Sequence, residues 1–212
     1  MNFQINKELR AVPQNKEEFY LLIAKLQSSL PQSTGLDRVN ILGELAVYLR
    51  IDGQLEKAEK LLREALVLIK EHDLGIGKAI QQKIRLGHVL QFKKDFKASN
   101  ALFQEIFATI EKNNSLAHYE AFAWQHWGKN LFDQERYDEA LIAFEKTLEI
   151  RTRKDAPKDQ LQSTKIAIKR TKELMAATRK AGLLGGALGI NAIDGTKVKQ
   201  DGLVQLPTMK PQ

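Results

Sequence analysis

The sequence predicts an all-α array of helical hairpins. Three observations predict it: self-similarity at a fixed step of 41 residues, apolar residues at helical spacing on both sides of short breaks, and small residues at equivalent mid-helix positions. Leu45, Leu86 and Trp127 fall in step, as do Ala46, Gly87 and Gly128, then Leu49, Leu90 and Leu131. The register continues through Leu55, Phe96 and Tyr137, through Ala58, Ser99 and Ala140, and through Leu62, Phe103 and Phe144. A fixed period in this range marks a repeat array, in which each unit buries its apolar face only against its neighbours.

Along the chain, Met1 to Asn15 read as a polar arm of mixed charge. Asn15, with Glu18 three residues later, has the form of a capping box, and Phe19, Tyr20, Leu22, Ile23 and Leu26 give the following helix an apolar face. One step back from Leu62 and Ala65 lands on Leu21 and Ala24, so this helix is expected to act as a half repeat. Residues 1–36 form this first unit, closed by the linker Pro31-Gln-Ser-Thr-Gly35.

The repeats proper are expected over 37–155, in units of about 37–72, 73–113 and 114–155. In the first, Leu42, Leu45, Ala46 and Leu49 mark one helix, Asp52-Gly53 breaks it, and Leu55 to Ile69 carry a second stripe. The second unit breaks near Lys93 to Asp95 and the third at Asp133 to Glu135. Breaks this short force antiparallel neighbours, so each unit is an αα-hairpin. Gly87 and Gly128 sit mid-helix, where glycine costs about 1 kcal/mol relative to alanine. Close approach of the partner helix, with its large Leu62 or Phe144, offsets that cost.

Ala156-Pro157 is expected to start a basic capping helix over 156–181, with a thin stripe of Leu161, Thr164, Ile168, Thr171 and Met175 widened by Ala167 and Leu174. Gly182, Gly185, Gly186 and Gly189 then begin a tail, 182–212, expected to be flexible or loosely docked, with Thr196 to Leu206 as a candidate small hairpin.

The pattern of a bulky residue, a small one, an aromatic near the turn, then an alanine and an aromatic resembles the tetratricopeptide repeat family. The third unit resembles it best, through Trp124, Trp127-Gly128, Leu131, Tyr137, Ala140 and Phe144. The first fits through Leu45-Ala46, Gly53, Ala58 and Ala65, while the second has Lys83 for the first bulky residue and Ser99 for the alanine. The usual unit is about 34 residues long, so the longer step resembles the extended-hairpin subset, such as kinesin light chains. The resemblance implies a right-handed αα-superhelix of three hairpins with flanking N- and C-terminal helices, whose first helices line a concave groove. Carried over by register, that groove takes Asn40, Gly43, Val47 and Arg50 from the first unit, and Gln81, Ile84, Arg85, His88, Gln91 and Phe92 from the second. The third supplies Phe122, Gln125, His126, Lys129 and Phe132. Ile84, Phe92, Phe122 and Phe132 would either line this groove or pack against neighbouring helices or the tail. Of the places where some relatives clamp a carboxylate, only Arg85 holds a suitable residue.

Composition narrows the function classes. The chain has no cysteine, which excludes disulfides and thiol catalysis and leaves metal binding to His and carboxylates. No two of His72, His88, His118 and His126 stand at the spacing of a helical metal pair, and no catalytic constellation emerges. Neither a cofactor nor a metal is expected. The first fifteen residues carry no apolar run of export-signal type and no stretch approaches a membrane span, so a cytoplasmic location is expected. The net charge of +7 sits in the C-terminal quarter, where 13 Lys and Arg face 5 acids from residue 151 onward. Lys165, Lys169, Arg170, Lys172, Arg179 and Lys180 form the basic patch of the capping helix. Such a patch supplies nonspecific, salt-sensitive attraction to phosphates, but lacks the interleaved aromatics of a nucleic-acid module.

The sequence therefore points to a noncatalytic scaffold that holds a protein or peptide in its groove as an adaptor, co-chaperone or assembly factor. Alternatives are a peptide sensor in which the tail toggles the groove, and an accessory factor for nucleic acid working through the basic helix. An uncovered groove or tail would also support self-association.

Overall fold

The computed structural model describes residues 2–187, with side chains through residue 181. The chain opens with two short strands, β1 (Phe3–Ile5) and β2 (Ala11–Pro13), then helix α1 (Lys16–Ser29). Three antiparallel hairpins follow: α2 (Gly35–Ile51) with α3 (Leu55–Glu71), α4 (Ile76–Phe92) with α5 (Phe96–Glu111), and α6 (Glu120–Asp133) with α7 (Tyr137–Arg153). Helix α8 (Lys158–Ala187) packs on α7. The first helices also touch one another, α2 on α4 and α4 on α6, and so form the inner layer of a helical repeat superhelix.

Each inner helix ends in the same way. Gly53, Lys94 and Glu135 stand one repeat step apart and all have left-handed backbone, at φ +82°, +61° and +60°. The next residue donates its N–H five residues back in each case: Gln54 to Leu49, Asp95 to Leu90 and Arg136 to Leu131, at 2.8, 3.0 and 3.0 Å. This Schellman ending satisfies carbonyls that a helix terminus would otherwise orphan. Its geometry recurs even where lysine and glutamate carry a strain of roughly 1–2 kcal/mol that glycine avoids.

Within the hairpins the small residues do what their spacing requires. A Cβ on Gly87 would stand 2.8 Å from the Phe103 ring, and one on Gly128 would stand 2.6 Å from the Phe144 ring. Ser99, which replaces the family's alanine, is fully buried and donates its hydroxyl to the Gly87 carbonyl at 2.9 Å. The polar substitution is thus satisfied rather than left as a buried orphan. Trp127 packs on Phe103 with ring centroids 5.6 Å apart, which ties the third hairpin to the second.

The N-terminal segment departs from expectation. Residues 3–13 form an antiparallel β-hairpin, with Phe3 paired to Pro13 and Ile5 to Ala11, rather than a polar arm. The Asn6 side chain accepts from the Glu8 and Arg10 N–H groups, at 3.1 and 2.8 Å, and so braces a loop in which Leu9 takes φ +57°. Leu9 is buried among the core residues of the second and third hairpins. The half-repeat register of α1 is also corrected, because Leu21 is 65% exposed and Ala24 is exposed while Phe19 and Ile23 are buried. The cause is β1: Phe3 stands 6.4 Å from Phe19 and 6.5 Å from Tyr48, so the strand draws the Phe19 face inward. Asn15 caps α1 as expected, accepting from the Glu18 N–H at 3.1 Å.

At the other end, Thr164, Ala167 and Thr171 are buried along the inward face of α8. The helix continues to Ala187, six residues past the expected boundary, since extending a long helix requires no new nucleus despite its glycines. The rest of the expected tail, including Thr196 to Leu206, lies outside the described residues.

Gly128→Leu would overpack the third hairpin by roughly 1–3 kcal/mol. A thermal melt should show a fall of several degrees; an unchanged melting temperature would contradict the helix register.

Candidate functional site

The repeat step lays the inner helices out in layers. Asn40, Gln81 and Phe122 occupy one layer near the helix N-termini, then come Glu44, Arg85 and His126, then Val47, His88 and Lys129, then Arg50, Gln91 and Phe132. Accessibility divides these residues. Asn40 is exposed, Phe122 is 41% exposed, and Val47, Gln81 and Arg85 are half-buried. Ile84 is fully buried in the core and Phe132 nearly so, which leaves Ile84 no surface to offer a ligand. Gln125 is also buried and bonds to Arg151 and Thr164, at 3.1 and 2.9 Å, so it links α6 to α7 and α8. Gly43 makes room for the Gln82 and Arg85 side chains, which lie across α2.

The β-hairpin loop crosses the last turns of the inner helices. Arg10 ion-pairs with Asp133 and lies 3.8 Å over the Phe92 ring, while Arg50 approaches the same ring at 4.6 Å. Gln91 donates to Asp133 at 2.8 Å and to the Lys129 carbonyl at 3.1 Å. On the far side, Arg170 of α8 donates to the Lys7 carbonyl at 3.1 Å. The loop therefore straps one end of the groove and leaves the Asn40–Gln81–Phe122 end open.

Under the strap, positive charge collects out of water. Burial, with Arg10 beside it, lowers the Arg50 pKa to about 9; a guanidinium so placed still stays charged at neutral pH. Burial, then the neighbouring Arg50, Arg10 and Arg151, lowers the Lys129 pKa to about 7, with Asp133 partly opposing them. His88 and His126, with ring centroids 4.3 Å apart, are both held well below the usual histidine range, by burial first and then by these cations. His88 Nε2 and His126 Nδ1 have no hydrogen-bond partner among the described residues, whereas a catalytic base is normally oriented by a third group. No group of three or more His, Asp or Glu that could hold a metal ion occurs among the described residues.

The basic patch lies elsewhere. Lys165, Lys169, Lys172, Arg179 and Lys180 are exposed on α8, with Lys172 paired to Glu145 at 3.1 Å, and Arg170 is tied to Glu173 at 3.3 Å as well as to the strap. Arg10, Asp133 and Arg151 were not singled out by their position in the sequence. The alternation of Phe3, Gln4 and Ile5, with Ala11, Val12 and Pro13 after them, is a trace of the strap too short to announce it.

The tetratricopeptide repeat family model matches residues 39–72 and 128–154. The middle hairpin, with Lys83 and Ser99, falls between the matched segments. No curated protein matches the sequence. Among solved structures, BtubC (BKLC) from P. vanneervenii is similar in fold, with a TM-score of 0.53 at 16% identity, over 93% of this chain and 83% of that one. Among the described residues, no helix is long and apolar enough to cross a membrane.

Lys129→Met tests the electrostatics. A lysine with a depressed pKa destabilises the fold while it is charged. The unfolded chain holds that proton up to about pH 10.4, so wild-type stability rises with pH above about 7. Removing a poorly compensated, half-buried charge should stabilise the protein by about 1–2 kcal/mol at pH 6 and flatten that rise. A pH series of thermal melts reads both; lower stability in the variant would contradict the account.

Proposed function

Because the chain belongs to the tetratricopeptide repeat family, we propose that it is a noncatalytic interaction scaffold, an adaptor, co-chaperone or assembly factor, that grips a peptide or helix in its concave groove. The observation that carries this reading is the open end of the groove. There Phe122, a large apolar side chain at 41% exposure, stands beside His126 with ring centroids 4.5 Å apart, in the layers that also hold Gln81 and Arg85. An exposed aromatic flanked by a half-buried guanidinium suits an apolar anchor with a polar neighbour, the pairing that dominates recognition energy. The strap limits the occupied length to the N-terminal half of the inner helices. Tetratricopeptide repeats are generally interaction modules, and the bonding around His88 and His126 supports no acid–base chemistry.

The test is affinity capture from native lysate, with and without nuclease, comparing wild type with Phe122→Ser and Arg85→Ala. A discrete protein partner should survive nuclease and bind each variant about tenfold more weakly, equivalent to about 1.4 kcal/mol. Recovery that is indifferent to both substitutions, or lost with nuclease, would contradict this reading.

A further inference from the structure

Among the described residues, the groove holds more largely buried donors than there are acceptors bonded to them, and they converge. Arg50 is 7% exposed, and its guanidinium, which lies against the Phe92 ring, has no hydrogen bond or ion pair among the described residues. The Lys129 ammonium, half-buried, likewise has no bonded partner among the described residues. His88, 5% exposed, leaves Nε2 unbonded, and His126 leaves Nδ1 unbonded. The two rings touch, and the electrostatic influence of Arg50 and Lys129 reaches both of them, so the four groups form one cluster. Asp133 compensates Lys129 only in part, because its carboxylate is already engaged by Arg10 and Gln91. Buried polar groups in folded proteins are hydrogen-bonded, and buried charges are paired. A cluster that breaks both rules at once points to an absent counter-charge.

We infer that Arg50, Lys129, His88 and His126 form a binding site for a dianionic phosphate group. The charge favours a dianion over a single carboxylate: Arg50 and Lys129 both lack a carboxylate partner, and nearby Arg151 bonds only to the neutral oxygens of Gln125, Gln160, Ser163 and Thr164. The donor set agrees, since two cations and two imidazole nitrogens approach from three inner helices, and charge-assisted bonds to several oxygens are the strong kind. The strap closes one side, but Lys129 and His126 keep partial exposure through which an anion can reach them. The phosphate comes either free or as the phosphoryl group of a small monoester. This goes beyond the scaffold reading and stands without it, because a phosphate would bind whether or not a peptide occupies the Phe122 end.

Anion binding also couples to protons. The titratable and charged groups around the cluster are Glu44 and Arg50 from α2, Arg85 and His88 from α4, His126, Lys129 and Asp133 from α6, Arg151 from α7, and Arg10 from the strap. The bound dianion favours the protonated forms of Lys129 and both histidines, so affinity rises as pH falls through about 7.

The experiment is calorimetry and thermal shift with inorganic phosphate at fixed ionic strength, on the full chain and on Lys129→Met, Arg50→Met and the α3 surface control Lys60→Met. Sulfate, a dianion throughout the range, serves for the pH series, and phosphoserine for the monoester. Saturable binding at one site, weakened at least tenfold in Lys129→Met and Arg50→Met, unchanged in Lys60→Met, and tighter for sulfate at pH 6 than at pH 8.5, is the expected result. Phosphoserine binding as well as phosphate assigns the site to a phosphorylated ligand; binding of phosphate alone assigns it to the free ion. Lys129→Met keeps the test valid if Arg50→Met folds poorly. No saturation by millimolar phosphate, or binding indifferent to Lys129→Met, would overturn the site. Neither result bears on partner capture through Phe122 and Arg85.

Discussion

The seating of one aromatic ring on one bare stretch of backbone, Phe103 on Gly87 and Phe144 on Gly128, is the constraint on which the rest of this structure depends. It sets how close the two helices of a hairpin lie, and through that their rotation about their own axes. Close packing tolerates little slack, so fixing one contact per hairpin fixes every side chain on the opposite face. The repeated helix endings at Gly53, Lys94 and Glu135 then set where each inner helix stops. Together they place Arg50, His88 and Lys129 within reach of one another, though the chain separates them by dozens of residues. The site is a consequence of register.

That register places cations where burial disfavours them. A repeat array gains nothing in stability from a lysine and an arginine without carboxylate partners among the described residues on a largely desolvated inner face, and apolar residues of similar volume would pack there at lower cost. The strap adds to the burden. Leu9 brings the loop down onto the core of the second and third hairpins, and Arg10 brings a further positive charge to Phe92, with Asp133 to hold it. The proposed anion suits this cationic half of the groove, while the exposed Phe122 end suits the proposed protein partner. The two halves of the groove have different chemistry, separated by about two helical turns along α6 between Phe122 and Lys129.

Much of the fold was legible because repetition multiplies weak signals. A single Gly128 in a helix is ambiguous; Ala46, Gly87 and Gly128 in step, facing Leu62, Phe103 and Phe144, are not. The N-terminal strap was harder to read because it occurs once and each of its strands is only three residues long, too short for alternation to stand out. The register of α1 failed for the same reason, since Phe3 decides which face turns inward and no repeat equivalent of Phe3 exists. In the groove, the inner-face positions were carried over from the register of the family that the repeats resemble. That register did not show that Ile84 and Gln125 are buried as structure, nor that Arg50 lacks a partner. Those facts depend on what distant segments bring, and Arg10, Asp133 and Arg151 come from the loop, the end of α6 and the end of α7.

The central claim is that the strapped groove holds uncompensated positive charge out of water. It is tested most directly by titrating the Lys129 ammonium itself, by NMR of protein with isotope-labelled lysine side chains and Lys129→Met for assignment, in buffer free of phosphate and sulfate. The account predicts a midpoint near 7, far below that of the exposed α8 lysines in the same spectrum. A Lys129 midpoint near the ordinary lysine value of about 10.4 would show that the charge is solvated or already paired, and the account would fail.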